Sequence, residues 1–169
     1  MRRLRPLGHL ARRFLASSRP GGPSPAEDGW ARSHLLPGEA ALWERMSGPD
    51  RRHSAGVARR VQAELGAGAT RPVVAAALLH DVGKVESGLG TVGRVAATVI
   101  GALAGQERRS GWGGRIGRYL VHDRIGAALL EQAGSDPLTV AWAREHHLPP
   151  QRWTVERALA DALKAADDD

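Results

Sequence analysis

Cysteine is absent from this chain of 169 residues, and its absence excludes several kinds of chemistry. Disulfides, thiolate metal sites and a cysteine nucleophile cannot be built without it. A chain without cysteine suits a reducing compartment, so we expect a cytoplasmic protein. Lysine is nearly absent as well, because Lys84 and Lys164 are the two lysines of an otherwise arginine-rich chain.

Long apolar runs and alternating strand-like runs are also scarce. The apolar stretch 91–104 is shorter than the ~20 residues that a membrane-spanning helix needs, and Arg94 interrupts it. We therefore expect it to be a buried helix. No stretch alternates β-branched and polar residues in the way that predicts a half-buried strand. The sequence thus predicts one all-α domain, a compact bundle of about six or seven helices.

Positive charge is concentrated at the start of the chain. Residues 1–24 contain six arginines and no acidic residue, and the other 18 basic residues are matched by 18 acidic ones. A stretch rich in Ser, Pro and Gly follows at 17–25 and predicts a linker. We expect residues 1–24 to form a disordered basic arm, dispensable for folding, beside a domain at 25–169. Weak contact of this arm with an anionic membrane or a nucleic acid is expected from its charge.

The pair His80-Asp81 is the strongest candidate for a functional site. It closes the apolar run 73–79, so both polar side chains should lie at the edge of a core, where they need partners. A metal ion suits an imidazole and a carboxylate together. The second His-Asp pair, His122-Asp123, differs because Asp123 lies among basic residues and is interpreted as a solvated helix position.

The other candidate ligands each lie on or just after a separate predicted helix, and five of the seven histidines belong to this series. Asp161 and Asp167 are alternative candidates for the last carboxylate ligand. Of the two, Asp167 adjoins the apolar face of the final helix. Glu145 is interpreted either as an acceptor for an imidazole N–H or as a surface residue. In chain order, the series is His53, His80-Asp81, His122, His146-His147 and Asp167.

This order resembles the HD-domain superfamily of metal-dependent phosphohydrolases, over roughly residues 39 to 167. The strings that carry the resemblance are His53-Ser54, Leu78-Leu-His-Asp-Val-Gly-Lys84, His122 followed by Ile125-Gly126-Ala127, and Glu145-His146-His147. The ordered set is much more specific than any single member. The resemblance implies an HD-type helical bundle.

The resemblance also implies a ligand set. His53, His80, Asp81 and Asp167 would hold a first metal ion, and Asp167 matches the family because it follows a Leu-x-x-Ala string. His122, His146 and His147 would be the additional histidines of two-metal members, with Asp81 bridging. Whether one ion or two bind stays open. Imidazole and carboxylate ligands favour Mn, Fe, Co, Ni or Zn, and suit Mg less well.

Such a site predicts hydrolysis of a nucleotide or a related small phosphoester, with Asp81 and Lys84 as catalytic residues. The ammonium of Lys84, three residues after Asp81, should reach a phosphate oxygen or protonate the leaving oxygen. Arg124 and Arg144 are weaker candidates for a phosphate clamp. Two other hypotheses stay open: a catalytically silent metal-binding scaffold with a regulatory function, and a di-iron oxygenase.

Overall fold

Helices account for the regular structure of the chain. The computed structural model describes residues 21–86, Gly114 and residues 121–168, and within these ranges it contains seven α-helices and no strand. This confirms the predicted all-α fold class. The helices are α1 (Pro25–Ser33), α2 (Pro37–Arg45), α3 (Gly48–Leu65), α4 (Arg71–Leu79), α5 (His122–Gln132), α6 (Pro137–Glu145) and α7 (Arg157–Asp168). Short 3-10 helices lie at Gly66–Gly68, Val82–Glu86 and Pro150–Arg152.

Polar caps set where the helices begin. Ser47 accepts a hydrogen bond from the backbone N–H of Asp50 at the start of α3, and Asp136 accepts one from Leu138 at the start of α6. Ser and Asp are residues typical of this position. At the start of α7, Glu156 accepts a hydrogen bond from the first turn, whereas the Thr154 hydroxyl donates to Glu145.

Helix α4 is the centre of the fold. Every residue from Val73 to Leu79 is buried, as expected of a helix that is apolar on all sides. It packs against α3 on one side and α6 on another, while α7 packs against α3 and α5 against α6. Trp43 and Trp142 are the largest side chains that are fully buried around it. The end of α4, where the apolar run stops, therefore lies where several helices meet.

One helix was not predicted. The sequence predicted a linker over 17–25 and no helix directly after it, but α1 starts at Pro25 with a capping box between Ser24 and Glu27. Asp28 on this helix accepts hydrogen bonds from Trp43 and Arg51, 2.9 and 3.1 Å long, which attach α1 to α2 and α3. Its apolar contribution is small, since Ala31 is its one buried residue. That is why hydrophobic periodicity did not reveal it.

Some sequence predictions lie outside the described residues. These are the first 20 residues of the predicted basic arm and the predicted buried helix over 91–104. Residues 21–24 are described and contact the domain, because the carbonyl of Gly21 accepts a 2.6 Å hydrogen bond from Arg52. Each helix in the described ranges is too short or too polar to cross a membrane.

Candidate metal centre

The seven residues predicted as ligands come together in space, although they are spread over more than a hundred positions of the chain. They form two groups, and within each group the ligand atoms lie within 4.8 Å of one another. The first ligand group consists of His53, His80 and Asp167, and the second of Asp81, His122, His146 and His147. His80, Asp81, His122 and His146 are buried, whereas His53 and Asp167 are partly buried and His147 is exposed.

His80 and His146 are both positioned by the carboxyl end of a helix. Each comes directly after the last residue of a buried helix, α4 or α6, where backbone carbonyls lack a partner within the helix. Nδ1 of His80 lies 2.9 Å from the carbonyl oxygen of Ala77, and Nδ1 of His146 lies 3.0 Å from that of Ala143. A carbonyl oxygen only accepts, so Nδ1 carries the proton in both rings and donates it. Nε2 is therefore the atom that each ring turns to the site.

These two Nε2 atoms provide a test of whether a metal ion fits. Both are fully buried and make no hydrogen bond to the described part of the chain. A buried polar atom without a partner is costly, so native structures rarely keep one unless water, an ion or a functional contact satisfies it. An imidazole with its Nδ1–H bound to a carbonyl presents a lone pair at Nε2, which is the usual metal-binding form of histidine. The residues fit a bound divalent ion.

Asp81 connects the two groups because its two oxygens face different histidines. Oδ1 lies 3.2 Å from Nε2 of His122 and 3.8 Å from Nε2 of His146, both in the second group. Oδ2 lies 3.4 Å from Nε2 of His80, in the first group. A carboxylate placed in this way can contribute one oxygen to each of two neighbouring ions.

Asp167, and not Asp161, lies in the site. Its Oδ1 is 3.2 Å from Nε2 of His53 and 3.5 Å from Nε2 of His80. Asp161 is on the exposed face of the same helix, where it forms a 2.8 Å ion pair with Arg157. The difference arises because α7 packs through Ala160, Leu163 and Ala166, and Asp167 adjoins that face at the end of the helix.

Close backbone contact places His122 beside Asp81. His122 is the first residue of α5, and the 3-10 helix Val82–Glu86 packs directly against this end of α5. A Cβ atom added to Gly83 would lie 1.9 Å from the carbonyl oxygen of His122 and 2.6 Å from the backbone nitrogen of Gly126. Glycine is therefore required at position 83 for this approach. Nε2 of His147 completes the group at 3.2 Å from Nε2 of His122.

The charges of the site are those of a cation-binding centre. Burial raises the pKa of Asp81, but the positive charges of Lys84 and His80 outweigh it and hold that pKa well below its usual value. The pKa of Asp167 is also lowered, because the hydrogen bond with His53 and the positive charge of His80 outweigh its burial. Burial, together with the charge of His147, lowers the pKa of His146. Both carboxylates are thus anionic at neutral pH, and His146 is neutral.

The pKa of His80 is shifted in the opposite direction to that of His146. Burial lowers its pKa, but the nearby carboxylates of Asp81 and Asp167 outweigh burial and raise it to about 10. In the absence of a metal ion, a proton on His80 therefore compensates part of the negative charge. A bound metal ion would replace this proton, because both need the same lone pair.

The remaining predicted residues have different surroundings. Lys84 forms an ion pair with Oδ2 of Asp81, which places its ammonium at the site. Both interpretations of Glu145 are wrong: it is buried, and its carboxylate accepts hydrogen bonds from the backbone and hydroxyl of Thr154, each 2.6 Å long. Glu145 thus fixes the segment that leads into α7. Arg144 pairs with Glu131 on the surface, and Arg124 is exposed.

Comparisons of the chain with protein-family models, with curated proteins and with solved structures found no match. The functional interpretation therefore depends on the residues and their geometry. That geometry establishes a buried His/Asp cluster able to hold a metal ion.

Proposed function

We propose that this protein is a metal-dependent phosphohydrolase of the HD type, acting on a nucleotide or a related small phosphoester. The observation that carries the proposal is the position of Asp81 between the two ligand groups, with Oδ1 turned to His122 and Oδ2 to His80. Two adjacent divalent sites joined by one carboxylate are a common arrangement in enzymes that hydrolyse phosphate esters.

The donor set supports a transition metal. The two groups contain five imidazoles and two carboxylates. Mn, Fe, Co, Ni and Zn accept such a mixture, whereas Mg prefers oxygen ligands and water. When bound, a pair of these ions polarises phosphoryl oxygens and lowers the pKa of a coordinated water towards neutrality.

The side chains have separate tasks in this proposal. Asp81 would contribute one oxygen to each ligand group when metal is bound, and the carbonyls of Ala77 and Ala143 keep the rings of His80 and His146 in the ligating tautomer. Lys84 lies at the site in contact with Asp81, and its side chain is 19% exposed. Its ammonium is therefore available to neutralise charge on the phosphate and to donate a proton to the leaving oxygen.

Phosphate release by the purified protein tests the proposal. The protein is loaded separately with Mn, Co, Fe, Ni, Zn or Mg and incubated with a panel of nucleotides and other phosphoesters, and liberated phosphate or cleaved diester is measured. We expect turnover of at least one substrate, with Mn or Co among the active metals.

Two variants identify the source of the activity. Asp81→Asn keeps the shape of the side chain but removes its charge, so we expect it to abolish turnover. Lys84→Ala should lower the rate while leaving the metal content unchanged. Equal phosphate release by wild type and Asp81→Asn would show that a contaminant is responsible. Tight metal binding without turnover of any substrate would favour the scaffold hypothesis, and metal-dependent oxygen uptake with an iron absorption band would favour the di-iron oxygenase.

A further inference from the structure

We infer that Arg60 is a positioning residue for the first ligand group: it anchors the end of α7 and thereby holds Asp167 against His53 and His80. This inference rests on the proposed metal site, but it concerns metal binding and not turnover. Arg60 belongs to neither ligand group, and it is an exposed residue of α3.

The contact that supports this inference joins two distant parts of the chain. Nε and Nη2 of Arg60 both donate to the carbonyl oxygen of Ala166, over 2.9 and 2.8 Å. Ala166 lies in the last turn of α7, where carbonyls have no partner within the helix. The guanidinium supplies the missing donors, and its positive charge suits the carboxyl end of a helix dipole.

The end of α7 needs an anchor of this kind. Its last buried residue is Ala166, so Asp167 follows directly after the point where apolar packing stops. Helix ends fray unless they are tied to the rest of the fold. Lys164 contacts Asp167 and Asp168, but it lies on α7 itself and therefore cannot attach this helix to α3.

Arg60 and the ligand His53 lie on the same side of α3. They are seven residues apart, which is about two helical turns. Nε2 of His53 lies 3.2 Å from Oδ1 of Asp167, and Arg60 binds the carbonyl oxygen of Ala166, the residue before Asp167. Two points on one rigid helix therefore set both the position and the direction of the Asp167 side chain. A ligand held at two points loses less conformational freedom when the ion binds.

Metal titration of the full chain tests the inference. Binding of Co and Mn is followed by competition with a chromophoric chelator and, for Co, by visible absorption. We expect Arg60→Gln to weaken one binding event by about tenfold or more, as is typical when a residue that orients a metal ligand is removed. The other event should keep the wild-type affinity. Arg60→Lys should restore part of the loss, because it keeps the charge and one donor.

The neighbouring residue provides a matched control. Arg59 is also exposed, but its guanidinium stacks on Trp30 at 3.5 Å and does not contact α7. Arg59→Gln makes the same change of charge one position away, and we expect unchanged affinity for both ions.

A double variant distinguishes positioning from a general loss of stability. If Arg60 acts through Asp167, adding Arg60→Gln to Asp167→Asn should cause no further loss of affinity. Full additivity would overturn the inference, as would an Arg60→Gln variant that binds both ions like wild type or loses both equally. Wild-type protein that binds no metal would overturn both this inference and the proposed function. Wild-type protein that binds metal but hydrolyses no substrate would refute the proposed function and leave the inference standing.

Discussion

At the scale of single residues, exposure distinguishes two carboxylates that lie close together on one helix. The side chain of Asp167 is 15% exposed and faces two imidazoles, whereas that of Asp161 is 53% exposed and faces Arg157. A carboxylate beside partly buried imidazoles loses its hydration and depends on their positive charge or on a metal ion. An exposed carboxylate in a surface ion pair stays hydrated and needs neither imidazole charge nor a metal ion.

We therefore expect Asp167→Ala to reduce the metal content of the purified protein by about one ion per chain, since it removes one carboxylate of the first ligand group. Asp161→Ala should leave metal content unchanged. It should alter the free energy of unfolding by less than about 1 kcal/mol, because exposed ion pairs contribute little. Elemental analysis after exhaustive dialysis measures the first quantity, and denaturant titration the second. Loss of metal in Asp161→Ala with retention in Asp167→Ala would show that the ligand assignment is wrong.

At the scale of elements, the second ligand group depends on how closely a 3-10 helix approaches α5. The backbone at Gly83 lies against His122 and Gly126 with no space for a side chain. Both neighbours in contact are backbone atoms, so they cannot move aside as a flexible side chain would. The same contact brings Asp81, two residues before Gly83, next to the imidazole of His122.

Gly83→Ala should force these two elements apart and separate Asp81 from His122. We expect a free energy of unfolding lower by about 1–3 kcal/mol, as is typical of overpacking, and weaker binding at the second ligand group. Thermal unfolding and metal titration measure the two effects.

Gly29→Ala is the control for this substitution. Gly29 lies within α1, and a Cβ atom there meets nothing within 4 Å. This variant should therefore be neutral or more stable by up to about 1 kcal/mol, because alanine favours a helix. Wild-type stability and metal affinity in Gly83→Ala would contradict the described packing.

At the scale of the whole molecule, the excess positive charge and the candidate metal ligands belong to different parts of the sequence. Six arginines lie in residues 1–24, and every candidate ligand lies beyond residue 50. Residues 21–24 nevertheless belong to the folded part, because Gly21 binds Arg52 and Ser24 caps α1.

Two deletions should distinguish the role of residues 1–20 from that of residues 21–24. Removal of residues 1–20 should leave metal content and the unfolding temperature unchanged, because these residues carry clustered arginines and little apolar periodicity. Removal of residues 1–24 also deletes the Ser24 cap and should cost about 1 kcal/mol of stability, with metal content retained. Calorimetry and elemental analysis of the two proteins check this. A loss of metal in either deletion would show that the arm contributes to the centre.

Local patterns in the sequence were sufficient for the fold class and for the candidate pair His80-Asp81, whereas the resemblance to the HD-domain superfamily implied the rest of the ligand set. The apolar run before His80 predicts a buried helix with polar side chains at its end, since a helix that is apolar on all sides must be surrounded by others. Imidazoles and carboxylates at helix ends then indicate a metal site, because few other partners satisfy both. Ser47 and Asp136 are recognisable as caps for the same local reason.

Contacts between distant segments were decided by the tertiary structure alone. Helix α1 is attached through polar contacts of Asp28, which leave no apolar period in the sequence. Glu145 holds the Thr154 segment, and Arg60 holds the end of α7 over a separation of 106 residues. The division of the two Asp81 oxygens between the ligand groups also depends on where α5 and α6 pack against α4. Local patterns determine what each segment forms and which side chains it offers, whereas packing in three dimensions determines which of those side chains meet.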